Sequence, residues 1–166
     1  DGAVTIGENL FTVNTPKTMG VFLEKGGAQA GRLTVEVGNM PATVWASSLD
    51  GAPIGGSRRI LLGHLTDLQN SGLSYLDARK TIMDSWGALP HLMRVATAEI
   101  SLAVGPGVFK VYALAMDGSR KARVPSRKAG GVLSFTADVA GSGEFATCMY
   151  EIVRNAGLMA IVGREE

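Results

Sequence analysis

Twenty-two glycines, spread over the whole chain, do more than any other feature to limit what it can become. Glycine weakens the interior of a helix or a strand, and is most useful where a turn needs positive φ. A chain punctuated in this way is cut into short segments joined by tight turns. Between the turns the hydrophobic pattern has period two. Leu33, Val35 and Val37 alternate with Arg32, Thr34 and Glu36, and Leu10–Asn14, Phe109–Leu114 and Val132–Ala137 alternate in the same way. That spacing puts one face of each segment in a core and the other in solvent.

Turn chemistry supports the same reading. Asp50-Gly51 after Ala42–Leu49, and Asp117-Gly118 after Phe109–Leu114, are hairpin signals of the type I′ kind. Gly55-Gly56 predicts a bulge or bend before a return strand over Arg58–Thr66, and Gly130-Gly131 predicts a further turn. Further strands are expected at Glu99–Val104, Arg120–Val124, Phe145–Val153 and Leu158–Val162. Only Ser71–Trp86 holds a helix candidate, around Leu76–Asp84, and it lacks an apolar stripe, so this stretch reads as a long excursion. The expected fold is all-β: a two-sheet antiparallel sandwich, jelly-roll-like, of roughly ten to fourteen short strands. A closed β-barrel is the alternative architecture.

A length of 166 residues suits one domain, with 155–166 an extension or linker. Hydrophobic residues make up 46% and charged residues 19%, ample for a core and too apolar for disorder. A net charge of +1 gives no reason to expect nucleic acid or an anionic membrane as partner. The apolar runs fall short of the ~20 residues of a membrane helix. The single cysteine, Cys148, allows no intramolecular disulfide and reads as a small buried hydrophobe.

Catalytic patterns are missing. His64, His91 and Cys148 have no metal-ligand spacing, so no transition-metal site is expected. A structural calcium ion held by scattered oxygens is the one cofactor that the sequence leaves open. No Gly-x-Ser-x-Gly turn is present. His64, among Leu61, Leu62 and Leu65, reads as a strand histidine satisfied by local hydrogen bonds. Glu36, Asp67, Asp84, Glu99 and Glu151 form no marked carboxylate pair, and Glu36 should face solvent. Gly105-Pro106-Gly107 is followed by a strand, without the helix that a phosphate loop needs. Arg120, Lys121, Arg123, Arg127 and Lys128 read as charges guarding an edge strand, with Lys121, Arg123 and Arg127 on one face. The second reading of this cluster is a weak anion site.

Exposed aromatic rings grip sugars by stacking, and planar polar groups read the hydroxyls. Trp45, Phe109, Phe135 and Phe145 are expected in the core. Trp86 lies in the least regular segment. With Tyr75, Asp77, Arg79, Asp84 and His91 nearby in sequence, it forms a candidate carbohydrate-binding platform. The competing reading is a tryptophan that pins the excursion to the sandwich.

The runs Ser48-Leu49-Asp50-Gly51-Ala52-Pro53-Ile54 and Ser57-Arg58-Arg59-Ile60-Leu61-Leu62, then Asn70-Ser71-Gly72, Asp84-Ser85-Trp86-Gly87, Val111-Tyr112-Ala113-Leu114 and Asp117-Gly118-Ser119-Arg120, occur in a telling order. Together they resemble the C-terminal β-sandwich region of large bacterial glycoside hydrolases whose catalytic part is a (β/α) barrel. The likeness covers residues 10–154 and departs at Asn70-Ser71-Gly72-Leu73 and after Arg154. It implies a non-catalytic accessory domain, secreted or at the cell surface, whose partners are the catalytic domain of its parent chain and a plant or algal polysaccharide of β-glucan or hemicellulose type. It carries over no catalytic residue. The alternative it leaves is a structural sandwich that braces the barrel or mediates oligomers without binding sugar.

Overall fold

The computed structural model describes residues 2–38, 40–141 and 146–155, and no helix occurs among them. The first half of the chain supplies β1 (Ala3–Ile6), β2 (Leu10–Asn14), β3 (Thr18–Leu23), β4 (Gly26–Ala30), β5 (Leu33–Val37), β6 (Ala42–Ser48) and β7 (Arg59–Leu65). The excursion follows as β8 (Leu68–Ser71), β9 (Ser74–Tyr75), β10 (Met83–Ser85) and β11 (Ala88–Met93). The remainder gives β12 (Thr97–Ala103), β13 (Val108–Leu114), β14 (Arg120–Val124), β15 (Arg127–Ala129), β16 (Val132–Asp138) and β17 (Met149–Asn155).

Eight strands form one antiparallel sheet in the order β1-β2-β3-β6-β7-β17-β13-β14. Five form a second, β15-β16-β12-β5-β4. Neither closes into a barrel. Their inner faces share one core, in which Val21, Val44, Ile60, Leu62, Val111 and Ile152 of the larger sheet meet Leu33, Val35, Ile100, Leu102, Leu133 and Phe135 of the smaller. The Tyr150 hydroxyl ties the sheets together by donating to the Asp138 carbonyl at 2.9 Å.

The expected strands form within the described residues, but seventeen strands occur there rather than ten to fourteen, β1, β3, β4 and β15 among the additions, and the connections change. Of the turns expected from the sequence, Gly130-Gly131 is a true two-residue hairpin turn: Ala129 pairs with Val132, and the glycines take φ of 56° and 81°. Positive φ at both central positions is what a type I′ turn requires. Asp50-Gly51 does not turn β6 directly into β7. The connection runs from residue 49 to 58, because the Asp50 carboxylate makes a better loop hub than hairpin corner. It accepts the Ser48 and Ser57 hydroxyls at 2.9 and 2.8 Å and the Arg58 amide at 2.6 Å. Those bonds, the Arg58 amide foremost, hold its pKa well below the ordinary carboxylate value. Asp117-Gly118 does sit in a hairpin connection, but of five residues, 115–119.

The basic cluster is also rearranged. Between Val124 and Arg127 the chain passes from the edge of the larger sheet to the edge of the smaller. Lys121 and Arg123 therefore do not share a strand face with Arg127. Arg120 pairs with Glu151, and the Lys128 ammonium donates to the Gly105 and Gly107 carbonyls. Phe145 and Leu158–Val162 lie outside the described residues.

Candidate functional site

A sandwich normally turns polar residues outward on both sheets. The five-stranded sheet does so. Its outer positions include Gln29, Thr34, Glu36, Thr97, Glu99, Ser134 and Thr136, all exposed, and half-buried Ser101. They satisfy one another across strands: the Thr136 hydroxyl donates to Glu99 at 2.8 Å, and Ser101 and Ser134 share a hydrogen bond of 3.2 Å.

The eight-stranded sheet does not. Register places Phe11 opposite Phe22, Phe22 opposite Thr43, and Thr43 opposite Leu65. The neighbouring row reads Val13, Gly20, Trp45, Gly63 and Met149. Phe11 and Leu65 are exposed, and Val13, Phe22, Trp45, Leu61 and Met149 are half-buried. One end of this face is closed by charge. Glu151 is buried between the guanidinium groups of Arg59 and Arg120, and Arg120 lies 4.4 Å over the Tyr112 ring. Burial opposes ionisation of Glu151, but the two arginines outweigh it and lower the pKa.

Trp45 is therefore not a core residue. Ala42, Val44 and Ala46 take the inner positions of β6, which leaves Thr43, Trp45 and Ser47 outside. A Cβ built on Gly63 would lie 2.2–2.5 Å from three atoms of the indole, Cζ2, Cη2 and Cε2. Three ring atoms so close to one point above the strand mean that the indole lies flat across Gly63, parallel to the sheet. Only glycine leaves room for it.

The excursion projects from the end of β7, and it is a pair of small hairpins. β8 pairs with β11, and β9 with β10. Residues 65–95 hold nine of the fifteen exposed large hydrophobic side chains among the described residues: Leu65, Leu68, Leu76, Ile82, Met83, Trp86, Leu89, Leu92 and Val95. Trp86 and Leu89 are each 75% exposed, so Trp86 does not pin the excursion to the sandwich.

The other residues of the candidate carbohydrate-binding platform all fall on this excursion, several with structural duties. Asp77 holds the tip, accepting the Thr81 and Ile82 amides at 2.9 Å each and the Thr81 hydroxyl at 2.8 Å. The Ile82 amide is the chief reason its pKa is lowered. Asp84 accepts the Ser74 hydroxyl at 3.0 Å. Asn70 joins the two strands of the first hairpin, donating to the Trp86 carbonyl at 2.9 Å while its oxygen meets His91 Nδ1 at 2.7 Å. Tyr75 is half-buried, with the Lys80 ammonium 5.8 Å from its ring centre. Arg79 is exposed.

At the root of the excursion lies a mostly apolar pocket of about 350 Å³, lined by Leu65, Thr66, Asp67, Leu68, His91, Met93, Met116, Ala146 and Cys148. Cys148 is buried, and that burial raises its thiol pKa. Beside it, on the next strand, the His64 amide donates to the Cys148 carbonyl at 2.8 Å. The His64 side chain corrects the sequence reading: it is 0% exposed, and neither ring nitrogen has a hydrogen-bond partner. Burial lowers its pKa, and the Asp138 carboxylate pulls in the opposite direction.

Among the described residues, no group of three or more His, Cys, Asp or Glu side chains is placed to hold a metal ion. Nor is any helix there long and apolar enough to cross a membrane. No family model, curated protein or solved structure matches the chain. Function has to be read from its surfaces.

Proposed function

We propose that this chain is a non-catalytic docking domain, which lays the outer face of its eight-stranded sheet and the apolar excursion against another protein domain. The observation that carries this is the pair of neighbouring rows that place Phe11, Phe22 and Leu65 beside Trp45 and Met149 on a face that a free sandwich would make polar. Exposed apolar surface beyond what a monomer usually shows marks a site of association. The excursion extends the same character beyond the sheet. Its resemblance to the accessory sandwich of (β/α)-barrel glycoside hydrolases suggests the partner: the catalytic domain of its own parent chain, in a secreted or cell-surface protein.

Binding in trans tests this. The chain is titrated against the rest of its natural protein, expressed without it, and association is followed by calorimetry. Association should be saturable, be lost with Phe22→Lys or Leu65→Lys, and survive Thr34→Lys or Ser134→Lys. Equal sensitivity on both sheets would refute the proposal.

A second reading, carbohydrate binding, is favoured by one observation: Trp86 stands 75% exposed beside a hydrogen-bonded hairpin that carries Asn70 and His91. An exposed indole with polar neighbours suits a β-glucan or hemicellulose chain. Native affinity electrophoresis on xyloglucan, mixed-linkage β-glucan, xylan and mannan separates the two readings. Retardation lost in Trp86→Ala supports the sugar site, and unchanged mobility on every glycan counts against it.

A further inference from the structure

The pocket at the root of the excursion adds a chemical requirement to the docking reading, on which the following rests. It begins where the apolar sheet face ends, since Leu65 belongs both to the outer row of β7 and to the pocket wall. Leu65, Leu68, Met93, Met116, Ala146 and Cys148 give it apolar walls. Two of these are methionines, whose flexible thioethers adapt to aromatic rings.

Its polar groups are nearly all acceptors. Asn70 Nδ2 donates to the Trp86 carbonyl, which turns Asn70 Oδ1 towards His91. An amide oxygen only accepts, so His91 Nδ1 must carry the proton. In the neutral ring that leaves Nε2 with a lone pair and no hydrogen. Asp67 is a carboxylate, accepting from Gln69 and Arg94. The Thr66 hydroxyl has already spent its proton on the Arg94 carbonyl at 2.7 Å. Among the described side chains that line the pocket, the donor left is the Cys148 thiol, a weak one.

We propose that this pocket receives a tyrosine side chain of the docked domain, an aromatic ring bearing one hydrogen-bond donor. The ring packs between Met93 and Met116, and the hydroxyl donates to His91 Nε2. A phenylalanine would leave that acceptor unmet. A lysine would find the Asp67 carboxylate already paired with Arg94. Tyrosine is also among the residues that most often anchor interfaces by filling such pockets.

The 166-residue chain is labelled with ¹³C at its methionine methyls and titrated with p-cresol and with toluene. The expected result is saturable shifts at Met93 and Met116, none at core Met19, and affinity for p-cresol about five- to tenfold above toluene. His91→Phe should erase that preference while the ring still binds. Adding the partner domain should displace p-cresol. Absent shifts, or equal affinity for the two probes, would overturn the pocket's assignment even if association in trans is confirmed. Cresol binding that survives saturating partner would overturn the tyrosine as occupant. Failure of the docking reading itself would show separately, as loss of sheet-face sensitivity in the association experiment.

Discussion

The two sheets are alike inside and opposite outside. Inward, each offers aliphatic side chains and at least one aromatic ring to one core. Outward, β5, β12 and β16 carry mainly threonine, serine and glutamate, whereas β2, β3, β6 and β7 set Phe11, Val13, Phe22, Trp45, Leu61 and Leu65 among a few polar residues such as Thr43 and Ser47. Folding alone requires only the inward faces. An apolar outward face adds nothing to a free sandwich and invites aggregation, so the asymmetry points to a covered surface.

Substitutions can break that comparison or sharpen it. The largest effects should be equal on the two sheets. Leu62→Ala and Leu102→Ala both empty fully buried positions, and each should cost about 2–5 kcal/mol by urea denaturation. A much smaller loss for one would mean that the core is not shared evenly.

Next in size comes a change that should matter on one sheet only. Gly63→Val drives a side chain into the Trp45 indole and should cost about 1–3 kcal/mol. Thr34→Val, on the polar face, should stay within about 0.5 kcal/mol. Adding Trp45→Ala to Gly63→Val should recover part of the loss, because the two residues share one space. Simple additivity would contradict the flat indole.

A comparable effect of opposite sign is expected at His64. Removing an imidazole with no hydrogen-bond partner, by His64→Leu, should stabilise the chain by about 1–3 kcal/mol near pH 7.5. The pH dependence follows from the lowered pKa of the folded state. As pH falls through about 6.5, the unfolded chain takes up the proton first. Stability should therefore drop from there down to the folded pKa, and His64→Leu should lose that slope. Parallel curves for the two proteins between pH 7.5 and 5 would show that His64 is hydrated or paired.

Much of the sandwich was legible because alternation and turn residues are local signals. Leu33, Val35 and Val37 go inside and Glu36 faces out, as read. Phe109, Phe135 and Cys148 are buried as expected. Trp45 was misplaced for a physical reason: β6 has apolar residues in both phases, so its period fixes a strand but not which face is inside. The decisive fact, the space above Gly63, lies on another strand. His64 was misread in the same way. Its place in a strand was visible, but having no partner depends on what stands opposite. The irregularity of the excursion was legible, yet the structural duties of Asp77 and Asp84 come from hydrogen bonds to Thr81, Ile82 and Ser74 that no periodic pattern encodes. The pocket is also non-local, joining Leu65, His91, Met116 and Cys148 from four separate stretches.

The most direct test of the docking claim is hydroxyl-radical footprinting of side chains, on the 166-residue chain alone and within the longer parent protein proposed above. Trp45, Phe11, Phe22, Leu65 and Met149 should oxidise several-fold more slowly in the parent protein, while the peptides carrying Thr34, Glu99 and Thr136 react equally in both. Equal oxidation of the apolar rows in the two samples would contradict the claim that this face is covered.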